Sequence, residues 1–212
     1  MSASQTPMRQ RKVPAVLTIA GLALLVAIAA STKVVVIGSS DDVRKKVFSK
    51  DEYGAATFPQ VQKFVVEHAV DAKELGAAIA ADPAAAGKKY GIETGTGPVI
   101  PVVLTGVAGE ASSGIYKVAV EGLDGILVRV QTGPAINGTE LRDASGTIKF
   151  GQFTNQIEYQ DAGSAINNEM KKQVLQPVDT ANLTGKTISV TGAFKLINPK
   201  GWLVTPVKLE VK

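Results

Sequence analysis

VLTGVAGEASSGIYKVAV, residues 103–120, alternates apolar side chains with small or polar ones on both sides of a Ser-Ser-Gly turn. Alternation with a period of two marks a strand with one dry and one wet face. The stretch therefore reads as strand, turn and returning strand. A second stretch, SVTGAFKLINPKGWLVTPV at 189–207, repeats the plan: Thr-Gly, seven or eight intervening residues, then Gly followed by an apolar residue and alternating Val. Two long hairpins of this kind set the fold class, because a sheet made of them must close or stack to bury its apolar face.

Working outward, runs rich in Val, Ile and Thr predict strands at 99–107, 115–121, 126–132, 147–153, 155–160, 186–195 and 202–211. Turn chemistry at Asp124-Gly125, Asn137-Gly138, Ser145-Gly146 and Asn198-Pro199-Lys200-Gly201 separates them. One helix interrupts the set: Ile166, Met170 and Val174 are spaced by four, and Pro177 stops it. One helix before the last two strands suits a small, partly closed barrel of the OB type; a β-sandwich is the rival. Upstream, Val61, Phe64, Val65 and His68 share one helix face, which makes His68 a satisfied or partly buried structural histidine. Asp71 with Glu74 starts the next helix, with Leu75, Ala78 and Ile79 as its apolar stripe. Asp82-Pro83 starts a third, which Gly91 ends. GIETGTGP, 91–98, is a Gly-rich joint.

The N-terminus reads as an address. Arg9, Arg11 and Lys12 precede a stretch from Val13 to Ala30 with no charged residue, near the lower limit for spanning a bilayer. An uncleaved signal-anchor is the leading reading. A cleaved signal peptide, ending at the Ala-rich 27–29, and a buried helix are the alternatives. The basic tail favours a cytoplasmic N-terminus with residues 32–212 exported, although Lys33, Arg44, Lys45 and Lys46 weaken the bias. Val34 to Ile37 is a short apolar run that prolongs the anchor or forms a strand; a dinucleotide-binding start is not supported, since Gly38 stands alone.

Charge and composition exclude more than they assign. The net charge is +4, but residues 32–212 carry 20 basic and 19 acidic side chains, and residues 91–212 carry 11 of each. A neutral β-region lacks the general attraction that phosphate backbones reward, so no nucleic-acid partner is expected. With no cysteine there is no disulfide, thiolate zinc site, thiol nucleophile or lipidated cysteine. A single histidine rules out a multi-histidine metal site, leaving only carboxylate cation sites open. TGKT at 184–187 lacks the earlier Gly of a phosphate-binding loop, Thr180 standing there, and reads as a turn entering a strand. DASG at 143–146 reads as a hairpin turn. No catalytic set is legible, and no cofactor is expected.

The candidate site is the polar stretch GTELRDASGTIKFGQFTNQIEY, 138–159. Read as strands, it offers a shelf of Arg142, Asp143, Asn155, Gln156 and Glu158, able to donate and accept as sugars require. The plain alternative is an edge hairpin with a solvated face. Trp202, the only tryptophan, either stacks on a sugar or packs at a barrel end.

The run at 138–170, GTELRDASGTIKFGQFTNQIEYQDAGSAINNEM, together with GKTISVTGAF (185–194), WLVTPVKLEV (202–211) and AADPAAAGKKYG (80–91), resembles a family of predicted bacterial periplasmic lipoproteins of unknown function. The resemblance covers residues 32–212. It implies export, residence at the cell envelope and gene neighbourhoods shared with sugar ABC transporters. Family members carry a cysteine just before a Lys-apolar run; AASTKVVV here has Thr32 before Lys33. The expected organisation is α+β: a tail and signal-anchor over 1–31, a mainly helical segment over 32–98 and a mainly antiparallel OB-like barrel with one inserted helix over 99–212. The expected role is an inner-membrane-anchored periplasmic protein, held through residues 13–31. It would act as an accessory or binding component of solute (sugar) uptake, beside an ABC transporter or a periplasmic solute-binding protein. Direct binding of a sugar or polar small molecule, and an OB-type oligonucleotide binder, are the alternatives.

Overall fold

The computed structural model describes residues 13–35 and 48–212. The chain divides into two compact units at the 47/48 boundary. The basic residues Arg9, Arg11 and Lys12, the second half of the 34–37 apolar run (Val36 and Ile37), Gly38, and Arg44 to Lys46 lie outside the described residues.

In the first unit, helix α1 (Val13–Ser31) carries no acidic residue in its first turn and no basic residue in its last. It closes on hydroxyls: Ser31 Oγ donates to the Ala27 carbonyl at 2.6 Å and Thr32 Oγ1 to that of Ile28 at 2.6 Å. Leu17, Ile19, Leu22, Leu24, Leu25, Val26 and Ile28 are all exposed. The 19 residues of α1 span about 28 Å at 1.5 Å per residue, against a hydrocarbon core of roughly 30 Å. Among the described residues no helix is long and apolar enough to cross a membrane, so the span over 13–31 remains an expectation.

The second unit begins with α2 (Lys50–His68), whose buried face is Gly54, Phe58, Val61 and Val65. The two-residue strand β1 (Val70–Asp71) follows. Asp71 and Asp82 then cap α3 (Ala72–Ala81) and α4 (Pro83–Tyr90), each carboxylate accepting two backbone N–H groups of its first turn, as their spacing predicts. His68 is exposed rather than partly buried. As the last residue of α2 it lies beyond the core, stacked on Phe64 at 4.0 Å with Nδ1 2.8 Å from the Phe64 carbonyl.

The barrel consists of β2 (Val99–Ser112), β3 (Ile115–Ala119), β4 (Leu127–Gln131), β5 (Thr187–Lys195) and β6 (Gly201–Val211). Both quoted hairpins are present, as β2–β3 and β5–β6. The sheet runs β1-β2-β3-β4-β6-β5, and a further β2–β5 pairing closes it. That closure rules out a sandwich. The β2–β5 ladder is antiparallel over nine consecutive residues, from Val99 with Lys195 to Val107 with Thr187. β4 and β6 are parallel, as are β1 and β2, so the sheet is mixed. α2, α3 and α4 lie against β2, which explains why Val99 to Val102 are buried without alternation. Trp202 and Phe194, both fully buried, stack at 4.8 Å inside the barrel. One continuous core contains helical Phe58, Val65, Leu75 and Ile79 together with barrel Ile100, Val130 and Val204. The expected division at residue 98 is therefore no boundary in packing.

The main departure from expectation is over 138–159. The expected strands at 147–153 and 155–160 are absent. In their place are a short helix α5 (Glu140–Asp143), a 3-10 turn (Phe150–Gln152) and the start of α6 (Gln156–Met170), which continues as a π turn (Lys171–Leu175). The reason is local. Asn155 Oδ1 accepts the Glu158 N–H at 2.9 Å, and the Glu158 carboxylate accepts the Thr154 N–H at 2.8 Å. This reciprocal capping starts a helix and outweighs the strand preference of Phe153, Ile157 and Tyr159. DASG turns out of α5, with the Gly146 N–H donating to the Asp143 carbonyl, and is no hairpin. α6 packs on α2 through small residues: a Cβ on Gly54 would stand 2.5 Å from the Ala165 carbonyl oxygen.

Candidate ligand-binding cleft

A cleft of about 570 Å³ opens where the 91–98 joint, α5, the turn after it, the first turn of α6 and the end of β5 meet. Its lining includes Thr94, Thr96, Thr139, Arg142, Asp143 and Lys195. α5 is short, but Leu141 is fully buried and pins it, so the two residues that follow it are fixed. The Arg142 stem passes α6 at Gly163, where a Cβ would still make only ordinary contact at 3.9 Å. Gly146 turns the chain with φ +65° and approaches Ile92 too closely for a side chain.

The polar groups form one network. Arg142 Nε donates to Asp143 Oδ1 at 2.8 Å, and Nη1 donates to the Tyr159 carbonyl at 3.2 Å. The guanidinium lies over the Tyr159 ring, 3.7 Å from its centroid. Tyr159 is in turn held edge-on by Phe150 at 5.8 Å and tilted against Phe153 at 5.4 Å. Thr139 Oγ1 donates to Asp143 Oδ2 at 2.7 Å. Lys195 Nζ donates to Thr96 Oγ1 at 2.9 Å and pairs with Asp143 Oδ2 at 3.9 Å. The side chains of Arg142, Asp143 and Lys195 are only 9%, 10% and 13% exposed. Charges so shielded hold their geometry against solvent far better than surface pairs do. Behind them, burial pushes the Glu140 carboxyl above its usual range. Lys195 and Arg142 act in the opposite direction, and its own backbone hydrogen bond does too.

Of the residues singled out in the sequence, Arg142 and Asp143 come together in this cleft. Asn155 and Glu158 cap α6, Gln156 is exposed on its first turn, and none of the three lines the cleft. Trp202 is fully buried with Nε1 donating to the Pro199 carbonyl at 3.2 Å, and its ring packs in the core against Phe194. Sequence reasoning missed Lys195, Thr139, Thr96 and Tyr159. Lys195 left a trace, a lone charge between Phe194 and Leu196. The threonines left none. Among the described residues no cluster of His, Asp or Glu has the arrangement of a metal site.

A second cleft, about 510 Å³, lies between α3 and the loops at 122–126 and 199–200. Ile79, Leu123 and Ile126 give it an apolar wall. Its charged residues, Lys73, Asp124 and Lys200, are all exposed. It has shape but no fixed polar group to orient a polar ligand.

An α+β domain with a closed five-stranded barrel, one parallel pair and an inserted helix defines the OB-type class. Residues 22–210 match the family model of the predicted periplasmic lipoproteins (DUF2291), and the chain belongs to this family, whose function is unknown and whose description gives a periplasmic location. The chain is similar in structure to an OB-fold protein from Thermotoga maritima. That similarity has a TM-score of 0.63 at 19% identity and covers 79% of this chain and 100% of the other; at that identity it speaks for the fold alone. No curated protein matches the chain.

Proposed function

We propose that this protein is a membrane-tethered binding protein of the periplasm that holds a small polyhydroxylated solute, as a binding or accessory component of solute uptake. The observation that carries the reading is the cleft. It gathers buried, mutually fixed charges and three threonine hydroxyls in a volume suited to a small molecule. Hydroxyls donate and accept at once, and carboxylate and cation flank them, which is the complement of a polyol.

The tether rests on α1. From Leu17 to Ile28 its large apolar side chains are exposed, and such a surface is favourable against lipid or another protein. Relatives described as lipoproteins would be held by lipid; this cysteine-free chain would be held by its helix. An ABC transporter or a periplasmic solute-binding protein is the partner that this location makes available.

The test is a thermal-shift screen of the full-length chain in detergent against neutral sugars, sugar acids and divalent cations. A ligand at about one hundred times its Kd adds about 2.7 kcal/mol, and hence raises the melting temperature by roughly 5–10 °C. The shift should vanish in Asp143→Ala and Lys195→Gln. A flat screen with a cooperatively melting protein would remove binding of such solutes from consideration.

A further inference from the structure

The cleft assigns a charge to its ligand, an inference that rests on the binding reading above. Arg142 has five N–H donors. Nε is used by Asp143 and one Nη1 proton by the Tyr159 carbonyl. The remaining three, on Nη1 and Nη2, have no acceptor among the described residues, although the side chain is only 9% exposed and lines the cleft. No Arg142 nitrogen is both shut off from solvent and unpaired, so its unused N–H groups stay reachable from the cleft that the residue lines. The guanidinium plane is already fixed from two sides, by the Tyr159 ring beneath it and by Asp143 at its Nε edge. What stays open is Nη2, whose two N–H groups have no acceptor among the described residues, beside the one unused N–H of Nη1; such charged N–H groups are strong donors to an anion.

The surrounding charge agrees. Arg142, Lys149 and Lys195 line the cleft against Glu93 and Asp143, and Asp143 alone is shared between the two most buried cations. Glu140, behind the wall, forms no ion pair among the described residues. An arriving anion would complete this centre, whereas a neutral polyol would leave the guanidinium edge unfilled.

We infer that the solute is an acidic sugar, whose oxyanion is taken by the unused N–H groups of Arg142, those of Nη2 above all, while Thr94, Thr96 and Thr139 meet its hydroxyls. Carboxylate and phosphate present the same pair of oxygens, so the ligand is an aldonic or uronic acid or a sugar phosphate.

The experiment is calorimetric titration of the full-length chain in detergent with matched pairs: galactose and galacturonate, glucose and gluconate, ribose and ribose 5-phosphate. Acetate and inorganic phosphate serve as the anions alone. The expected result is that the acid of at least one pair binds at least about tenfold tighter than its neutral partner. Whether a carboxylate or a phosphate pair responds identifies the source of the oxyanion. Arg142→Lys, which keeps the charge and loses the fork, should abolish the preference. Neutral sugars binding as tightly as their acids would overturn the inference and leave the binding reading intact. No member of any pair binding would overturn both. The comparison is made on the unmodified chain, so it stands whether or not the variant folds.

Discussion

At the scale of single residues, the cleft depends on carboxyl groups doing different things at neighbouring positions. Asp143 accepts from Arg142 and Thr139 and pairs with Lys195 at once. Glu140, three positions earlier, is half-buried without an ion pair, and burial raises its pKa above 4.5. The folded protein therefore holds the Glu140 proton more tightly than the unfolded chain does. By linkage, the contribution of this group to stability is greatest below the unfolded pKa and is lost as pH rises through the folded one. Glu140→Gln should remove that loss. Urea unfolding of both proteins between about pH 4 and about pH 7 should show the variant gaining relative to the parent as pH rises. A parallel pair of curves would contradict the assignment.

At the scale of elements, the first turn of α6 separates structure from function. Asn155 caps the helix and stands outside the cleft. Asn155→Ala should therefore cost about 1 kcal/mol of stability and leave ligand affinity unchanged, measured by denaturant unfolding and titration of the same sample. The same turn shows what was legible. The hairpins at 103–120 and 189–207 could be read because alternation, turn residues and sheet pairing all agree there. The caps at Asp71 and Asp82 could be read because nothing competed with them. Over 147–160, the strand preference of Ile148, Phe150, Phe153 and Ile157 competed with an Asn-x-x-Glu cap, and alternation hid the helix. Part of the cleft was legible for a related reason. Arg142 and Asp143 stand out as adjacent opposite charges in a polar stretch. Thr139 is their local neighbour, whereas Lys195 and Thr96 join them through contacts distant in sequence, which leave no local signature.

At the scale of the whole molecule, residues 48–212 hold one continuous core, and the cleft-lining residues lie among them. In the helix over residues 13–31 the described large apolar side chains are exposed. The β-region's equal numbers of acidic and basic side chains leave little long-range attraction for a polyanion, so recognition must come from close contacts inside the cleft. The most direct measurement is a two-dimensional amide nuclear magnetic resonance titration of the full-length chain in detergent with the tightest ligand of the matched pairs. The account predicts that shifts concentrate at Thr94, Thr96, Thr139, Arg142, Asp143 and Lys195. Shifts centred on Ala77, Leu123, Ile126 and Lys200 instead would place the ligand in the apolar cleft beside α3 and contradict it.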